Sequence, residues 1–533
     1  MTASAINPHD RRPSAARERR ARHASRRIIM CAACLILAGC AGSNQAARAS
    51  VSARAPAAAT RAASPSASRP NIVFVLTDDL SWNLIPYMPH VLAMRRNGVS
   101  FSGYFVSDSL CCPSRSSILS GRLPHNTGVY SNTGADGGFR VFHARGEESD
   151  TFATALQKVG YSTALMGKYL NGYLPGAKLG GATPYVPPGW NEWDVAGDGY
   201  PEFNYTLNEN HKLVRFGDKP QDYLTDVLAR RSVGFIDRSA DTHTPFMLEV
   251  STFAPHAPFV PAPRNANSFP GLTAPRQPSF DAANIDPPAW LSNHKPLSSA
   301  QLQTINTDFR KRVQSVQSVD EMVGRIEDEL KARGLARNTY IVFSSDNGLH
   351  MGEHRLMPGK LTAFDTDIRV PLIVTGPGVP AGRDITQLAE NIDLCPTFET
   401  LGGAPVASTV DGHSLSALLH GQTVSNWRNA VLVEHRKPAP SADDPDRPTT
   451  GSGNPNSYEA IRTPTALYVQ YLDGEREYYD LTTDPFELHN VVGELSPSTA
   501  SSLQNTVSAI SQCHGAASCW SAEHGSGPAF RGS

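Results

Sequence analysis

Four short apolar runs, each closing on polar or charged residues, constrain the fold of this chain more than any other feature. They span residues 71–76, 161–166, 246–252 and 340–345. A short, nearly continuous apolar run reads as a strand buried on both faces, as in a parallel sheet. The runs lead into Thr77-Asp78-Asp79, Gly167-Lys168, Ala254-Pro255-His256 and Asp346-Asn347-Gly348. Helical patterning lies between them, over about 150–159, 221–238 and 298–333, the last stopping at Gly334. Strands alternating with helices predict an α/β fold. In open α/β sheets a functional site lies beyond the carboxyl ends of the strands. If the four strands are parallel neighbours, Asp78, Asp79, Lys168, His256, Asp346 and Asn347 meet on one rim.

Between the first and second runs stands Cys111-Cys112-Pro113-Ser114-Arg115, followed by Ser120-Gly121-Arg122. Pro113 starts a helix just after the thiol, and a helix start offers free N–H groups to an anion. Three carboxylates and an amide oxygen form a hard-oxygen set suited to Ca²⁺ or Mg²⁺. Taken singly, Asp78-Asp79 serves equally as a helix cap, and Asn347-Gly348 as a turn. Gathering the acids without a cation is costly through mutual repulsion. Lys360, with Arg115, Lys168 and His256, supplies local positive charge, although a single Lys reads as readily as a solvated surface residue.

The 533 residues are enough for two or three domains, or for one large α/β domain with an appendage. Residues 1–39 hold eight Arg against Asp10 and Glu18; without them the 48 basic and 50 acidic residues fall to 40 and 48. An acidic body is a poor general nucleic-acid binder. The basic run to Arg27, the apolar stretch 28–37 and Leu37-Ala38-Gly39-Cys40 read as an export signal ending in a lipobox-like sequence. Ser25-Arg26-Arg27-Ile28-Ile29 has a twin-arginine look, and an uncleaved basic tail is the alternative. Residues 41–68, rich in Ala, Ser and Arg, read as a tether. Cys513 and Cys519 are expected to pair in an oxidising compartment, Cys395 to sit in the core, and Cys111 and Cys112 to stay unbridged.

Cys-x-Pro-Ser-Arg, together with Gly167-Lys168-Tyr169-Leu170-Asn171-Gly172-Tyr173, Asp222-Tyr223-Leu224-Thr225-Asp226, Ala254-Pro255-His256-Ala257-Pro258 and Ser345-Asp346-Asn347-Gly348, resembles the type I sulfatases of the alkaline phosphatase superfamily. The likeness runs from about Arg69 to Val492 and is nearest the N-acetylglucosamine-6-sulfatase branch. It implies a large central mixed, mostly parallel sheet flanked by helices, plus a small C-terminal α+β subdomain with an antiparallel sheet. Expected divisions are 1–40 signal, 41–68 linker, 69–425 catalytic domain and 426–533 subdomain and tail.

The resemblance also implies roles. Asp78, Asp79, Asp346 and Asn347 would hold one Ca²⁺ that also binds the nucleophile. Cys111, oxidised to formylglycine by a maturation enzyme, would attack sulfur as its hydrate. Arg115 would steady the hydrate, Lys168 and Lys360 would bind sulfate oxygens, and His256 would protonate the leaving alcohol. A geminal diol suits this chemistry, because one hydroxyl accepts the sulfo group and the other expels it. Many arylsulfatases carry a His where this chain has Leu170, which leaves the releasing base unassigned; His125 is a candidate neighbour with an equally good structural reading. The implied activity is hydrolysis of a sulfated sugar, with a membrane link only through a lipid at Cys40. Alternatives are a phosphate or phosphonate ester hydrolase of the same superfamily and a non-catalytic glycan-binding surface lipoprotein. In the tail, strands are expected at 430–433, 466–471 and 477–481, and a helix at 497–511 capped by Ser496.

Overall fold

The computed structural model describes residues 69–437, 441 and 444–530. The expected signal, the tether and Cys40 lie outside the described residues. Among those described, no helix is long and apolar enough to cross a membrane.

The four apolar runs form β1 (Asn71–Thr77), β2 (Ser162–Lys168), β3 (Phe246–Ser251) and β4 (Thr339–Ser345). They are adjacent and parallel at the centre of a ten-stranded sheet, in the spatial order β4-β1-β3-β2. Beyond β4 lie Leu372–Thr375, antiparallel to it, then Val99–Phe101 and Arg383–Ile385. Beyond β2 lie Glu192–Ala196, parallel to it, then antiparallel Thr206–Glu209 and Lys212–Arg215. The register aligns the carboxyl ends, with Thr77 opposite Ser345, and Leu76 and Gly167 both opposite Ser251.

Alternation along β1 explains why both faces are covered. Ile72, Phe74 and Leu76 enter one core with Cys112, Ile118 and Phe398, whereas Val73 and Val75 enter the other with Phe235, Val313 and Val316. The second core is closed by the helices Leu224–Thr242 and Ser299–Ala332. The longer helix starts where expected because Ser298 and Gln301 form a capping box. The shorter one runs on to Thr242, beyond the expected end at 238, because His243 adopts the left-handed conformation that closes it.

Gly167 marks the tightest point of the sheet. Its φ is +104°, and a Cβ there would stand 2.0 Å from the Ser251 carbonyl oxygen. Gly167→Ala is therefore expected to lower stability by about 1–3 kcal/mol, read from denaturant midpoints.

A separate four-stranded antiparallel sheet comprises Val431–His435, Tyr458–Arg462, Ala466–Tyr471 and Arg476–Asp480. The second of these strands escaped the sequence reading. The helix Pro497–Ile510 packs Leu503, Val507 and Ile510 on Leu432, Ile461 and Tyr468, and the Ser496 side chain caps it. Cys513 and Cys519 are bonded, while Cys111, Cys112 and Cys395 are free and buried.

Behind this sheet Arg428 is enclosed by three carboxylates, with Asp393 at 2.7 Å, Glu523 at 3.2 Å and Glu390 at 3.7 Å. Burial pushes Glu523 up to about 8, against the pull of Arg428 and with Asp393 adding to it. The protonated form thus favours the fold. Its contribution is complete below about 4.5 and is lost as pH rises through about 8. Melting temperature is expected to fall over that interval, and Glu523→Gln to flatten the fall.

Candidate active site

The rim residues do meet. Cys111 opens the helix Cys111–Ser120, every residue of which is buried. Gly121 ends that helix in the left-handed conformation, with φ 69° and its N–H donating to the Ser117 carbonyl. Cys111 Sγ lies 3.1 Å from Asp78 Oδ1 and 4.0 Å from Asp79 Oδ1, with Lys360 Nζ 3.1 Å away. Lys168 Nζ donates to Asp78 Oδ2 at 2.6 Å, and Lys360 Nζ to Asp79 Oδ1 at 2.6 Å. Arg115 Nε donates to Asp346 Oδ2 at 2.8 Å, and its NH1 to Ser251 Oγ at 2.7 Å. His256 Nδ1–H donates to the Ala257 carbonyl at 2.7 Å, while Nε2 faces Asp79 Oδ2 at 3.7 Å.

Asp79 sits at φ 64°, the left-handed region that Asp tolerates better than most residues. That geometry lets its backbone N–H donate to Asp346 Oδ1 at 3.1 Å while its carbonyl accepts from the buried Arg312. The strand ends of β1 and β4 are thereby knitted together around the acids.

The electrostatics follow from burial. Burial pushes the Cys111 thiol well above its ordinary range, and Asp346, Asp446 and Asp78 push the same way. Burial likewise lifts Asp78 to about 6, with Lys168 opposing. Burial disfavours charge on Lys168, but the neighbouring Asp78 outweighs it and holds the ammonium charged. His256 is raised to about 9, because Asp79, Asp446 and Asp78 overcome the burial that would lower it.

The carboxylates and an amide oxygen of the site suit a hard cation. Asp78, Asp79, Cys111 and His256 each offer a ligand atom within 4.8 Å of the others, all buried. Asn347 donates from Nδ2 to Asp79 Oδ1 at 2.6 Å, yet its buried Oδ1 has no partner. An orphaned amide oxygen among carboxylates is what an oxygen-ligated ion would satisfy. Asp346 stands outside that set of four, its oxygens turned to Arg115 and to the Asp79 and Asn347 backbone N–H groups.

Three participants went unnoticed in the sequence. Asp446, from the Pro- and Asp-rich loop after Val431–His435, reaches His256 Nε2 and Lys360 Nζ, both at 2.7 Å. Tyr200 places its ring 4.5 Å from that of His256 and 5.0 Å from Lys168 Nζ. Asn132 accepts from the Cys112 N–H at 2.9 Å. Conversely, His125 has both ring nitrogens engaged elsewhere, with Glu434 Oε2 at 2.8 Å and the Cys513 carbonyl at 2.9 Å. Leu170 is buried in the apolar core.

Comparison with known proteins agrees with this architecture. Residues 70–404 match the family described as Sulfatase, and residues 352–512 match the C-terminal region of N-sulphoglucosamine sulphohydrolase. N-acetylglucosamine-6-sulfatase of Homo sapiens is 34% identical over 474 residues, covering 84% of this chain and 85% of that protein. The extracellular sulfatase SULF-1 homolog of Drosophila melanogaster is 35% identical over 378 residues, covering 69% of this chain and 33% of that protein. Among solved structures, BT4656 in complex with its substrate D-glucosamine-2-N,6-O-disulfate superposes with TM-score 0.65 at 23% identity, over 80% of this chain and 94% of that one. Phosphonate monoester hydrolase from Silicibacter pomeroyi gives 0.62 at 22%, over 82% and 93%, so the fold alone is shared with it. The chain belongs to the sulfatase family, and the enzyme it encodes is a sulfatase.

A divalent cation held there is expected to raise the melting temperature, by an amount corresponding to about 2.7 kcal/mol when the ion is at 100 times its Kd. Asn347→Ala should shrink that rise, and a chelator should abolish it in the parent protein.

Proposed function

We propose that this sulfatase removes the sulfate ester from 6-sulfated N-acetylglucosamine or a closely related sulfated glycan, with Cys111 working as formylglycine beside one Ca²⁺. The observation that carries the reading is the position of Cys111: fully buried, with acids on one side and Lys360, Lys168 and Arg115 around it. An unmodified thiol there is held neutral by burial and by Asp346, Asp446 and Asp78, and a neutral thiol is a weak nucleophile. Conversion to a hydrated aldehyde supplies an oxygen nucleophile with its own release route. The match to N-acetylglucosamine-6-sulfatases over most of both chains supports the sugar and the position of the ester.

Asp78, Asp79, Asp346 and Asn347 would hold the cation, which when bound polarises the nucleophile and a sulfate oxygen. Lys168 and Lys360 would bind the remaining sulfate oxygens and offset charge as it builds on them. Arg115, fixed by Asp346 and Ser251, would orient the nucleophile. His256, protonated on Nε2 with Nδ1 anchored to Ala257, would deliver a proton to the leaving sugar oxygen. Export, a lipid on Cys40, and a division into a catalytic domain over 69–425 and a subdomain over 426–533 complete the reading.

Peptide mass spectrometry of protein from its native host is expected to find formylglycine at position 111. Cys111→Ala should have no turnover, and Lys168→Ala should lose on the order of 10²–10³ in kcat on an aryl sulfate. Preference for an aryl phosphate over the matching aryl sulfate would instead place the enzyme with phosphate and phosphonate ester hydrolases.

A further inference from the structure

One acidic side chain stands where sulfate hydrolysis has no use for it. The Asp446 side chain is 3% exposed, while Pro445 and Arg447 on either side of it face solvent. The loop thus alternates, with Pro445 and Arg447 outward and the carboxylates of Asp444 and Asp446 turned inward. A single oxygen, Asp446 Oδ1, accepts from His256 Nε2 and Lys360 Nζ, and Oδ2 accepts from Asn132 Nδ2 at 2.6 Å.

Donor accounting shows what this does. His256 Nδ1 is committed to Ala257, so Nε2 is the ring nitrogen left for a leaving group, and Asp446 holds it. Lys360 has three ammonium donors and three partners: Asp79, Cys111 and Asp446. A sulfate ester oxygen reaches His256 Nε2 only when Asp446 gives it up, and it competes with Asp446 for Lys360. A carboxylate and a sulfate ester are both anions seeking the same donors, and two anions in one buried site repel. Space gives the same answer. The cavity over Asp79, His256 and Lys360, roofed by Asp446, measures about 120 Å³. Ordinary small-molecule sites measure roughly 300–1,000 Å³. A neighbouring cavity of about 730 Å³, lined by Tyr200, Asn171 and Asp444, shares Pro445 with it.

The geometry points to Asp446 as a tethered anion that occupies the sulfate position in the resting enzyme. The 444–449 loop is then a strap that lifts this carboxylate out when a sulfate ester enters, joining the two cavities into one cleft. This rests on the sulfatase reading of the site. Asp444 anchors the strap, accepting from the Asp446 N–H at 3.0 Å and from Asn132 Nδ2 at 3.1 Å.

The test is steady-state kinetics of the calcium-loaded, formylglycine-bearing enzyme on a small aryl sulfate, with inorganic sulfate as competitor. Asp446→Asn is expected to lower both KM and the sulfate inhibition constant by on the order of tenfold, since less of the enzyme is held closed. Asp444→Ala, which removes the anchor from outside the cation cluster, should move both constants the same way. A second readout needs no turnover: calorimetric sulfate binding to Cys111→Ala should tighten when Asp446→Asn is added. A fall in kcat at unchanged KM would make Asp446 part of the machinery and overturn the proposal, as would unchanged sulfate affinity in both variants. Absence of sulfate-ester turnover by the parent enzyme overturns the sulfatase reading instead, and the binding comparison still decides the fate of the strap.

Discussion

Mutual repulsion among buried carboxylates, and its compensation, is the constraint on which the rest of this structure depends. Asp78, Asp79 and Asp346 emerge from β1 and β4 with almost no access to water. Each has a cation or backbone N–H assigned to it: Lys168 to Asp78, Lys360 to Asp79, Arg115 to Asp346. A buried ion pair adds little net stability, whereas breaking one strands a charge. The network is therefore better understood as fixing geometry than as holding the fold together. Stability comes from the two apolar layers, which let the sheet carry so expensive a rim.

The same compensation explains why the nucleophile is placed by a helix. Cys111 is the first residue of a wholly buried helix, so its position is set by the packing of Cys112, Ile118 and Leu119. Arg115 lies one turn on and faces the same acids. Residues at a spacing of four share a helix face, so nucleophile and guanidinium are presented together.

Much of this was legible in the sequence. The four strands were readable because continuous apolar runs have few alternatives, and the rim residues followed from where those runs stop. The capped helix at Ser298 and the Cys513–Cys519 bond were readable from local chemistry alone. Asp446 was not. In an Asp- and Pro-rich loop, a carboxylate that dips into a cation cluster has the same local pattern as one solvated in a turn. The strand Tyr458–Arg462 was missed because its neighbours in the sheet, not its own composition, make it a strand. His125 illustrates the converse: an attractive residue type beside the signature, whose ring is spent bracing the Cys513 carbonyl.

That brace carries a consequence of timing. The turn after the nucleophile helix is clasped by the far end of the chain, through His125 and Asn126 to Cys513 and through Asp411 to Gly515. Cys513 follows His125 by 388 residues, so the clasp forms only after that long stretch has been made. Since Cys111 is wholly buried once the protein has folded, an enzyme that rewrote that residue would reach it more readily on the nascent or still-open polypeptide. Translation order thus leaves the turn after the nucleophile helix unclasped until residue 513 has emerged, and docking of that segment shuts it.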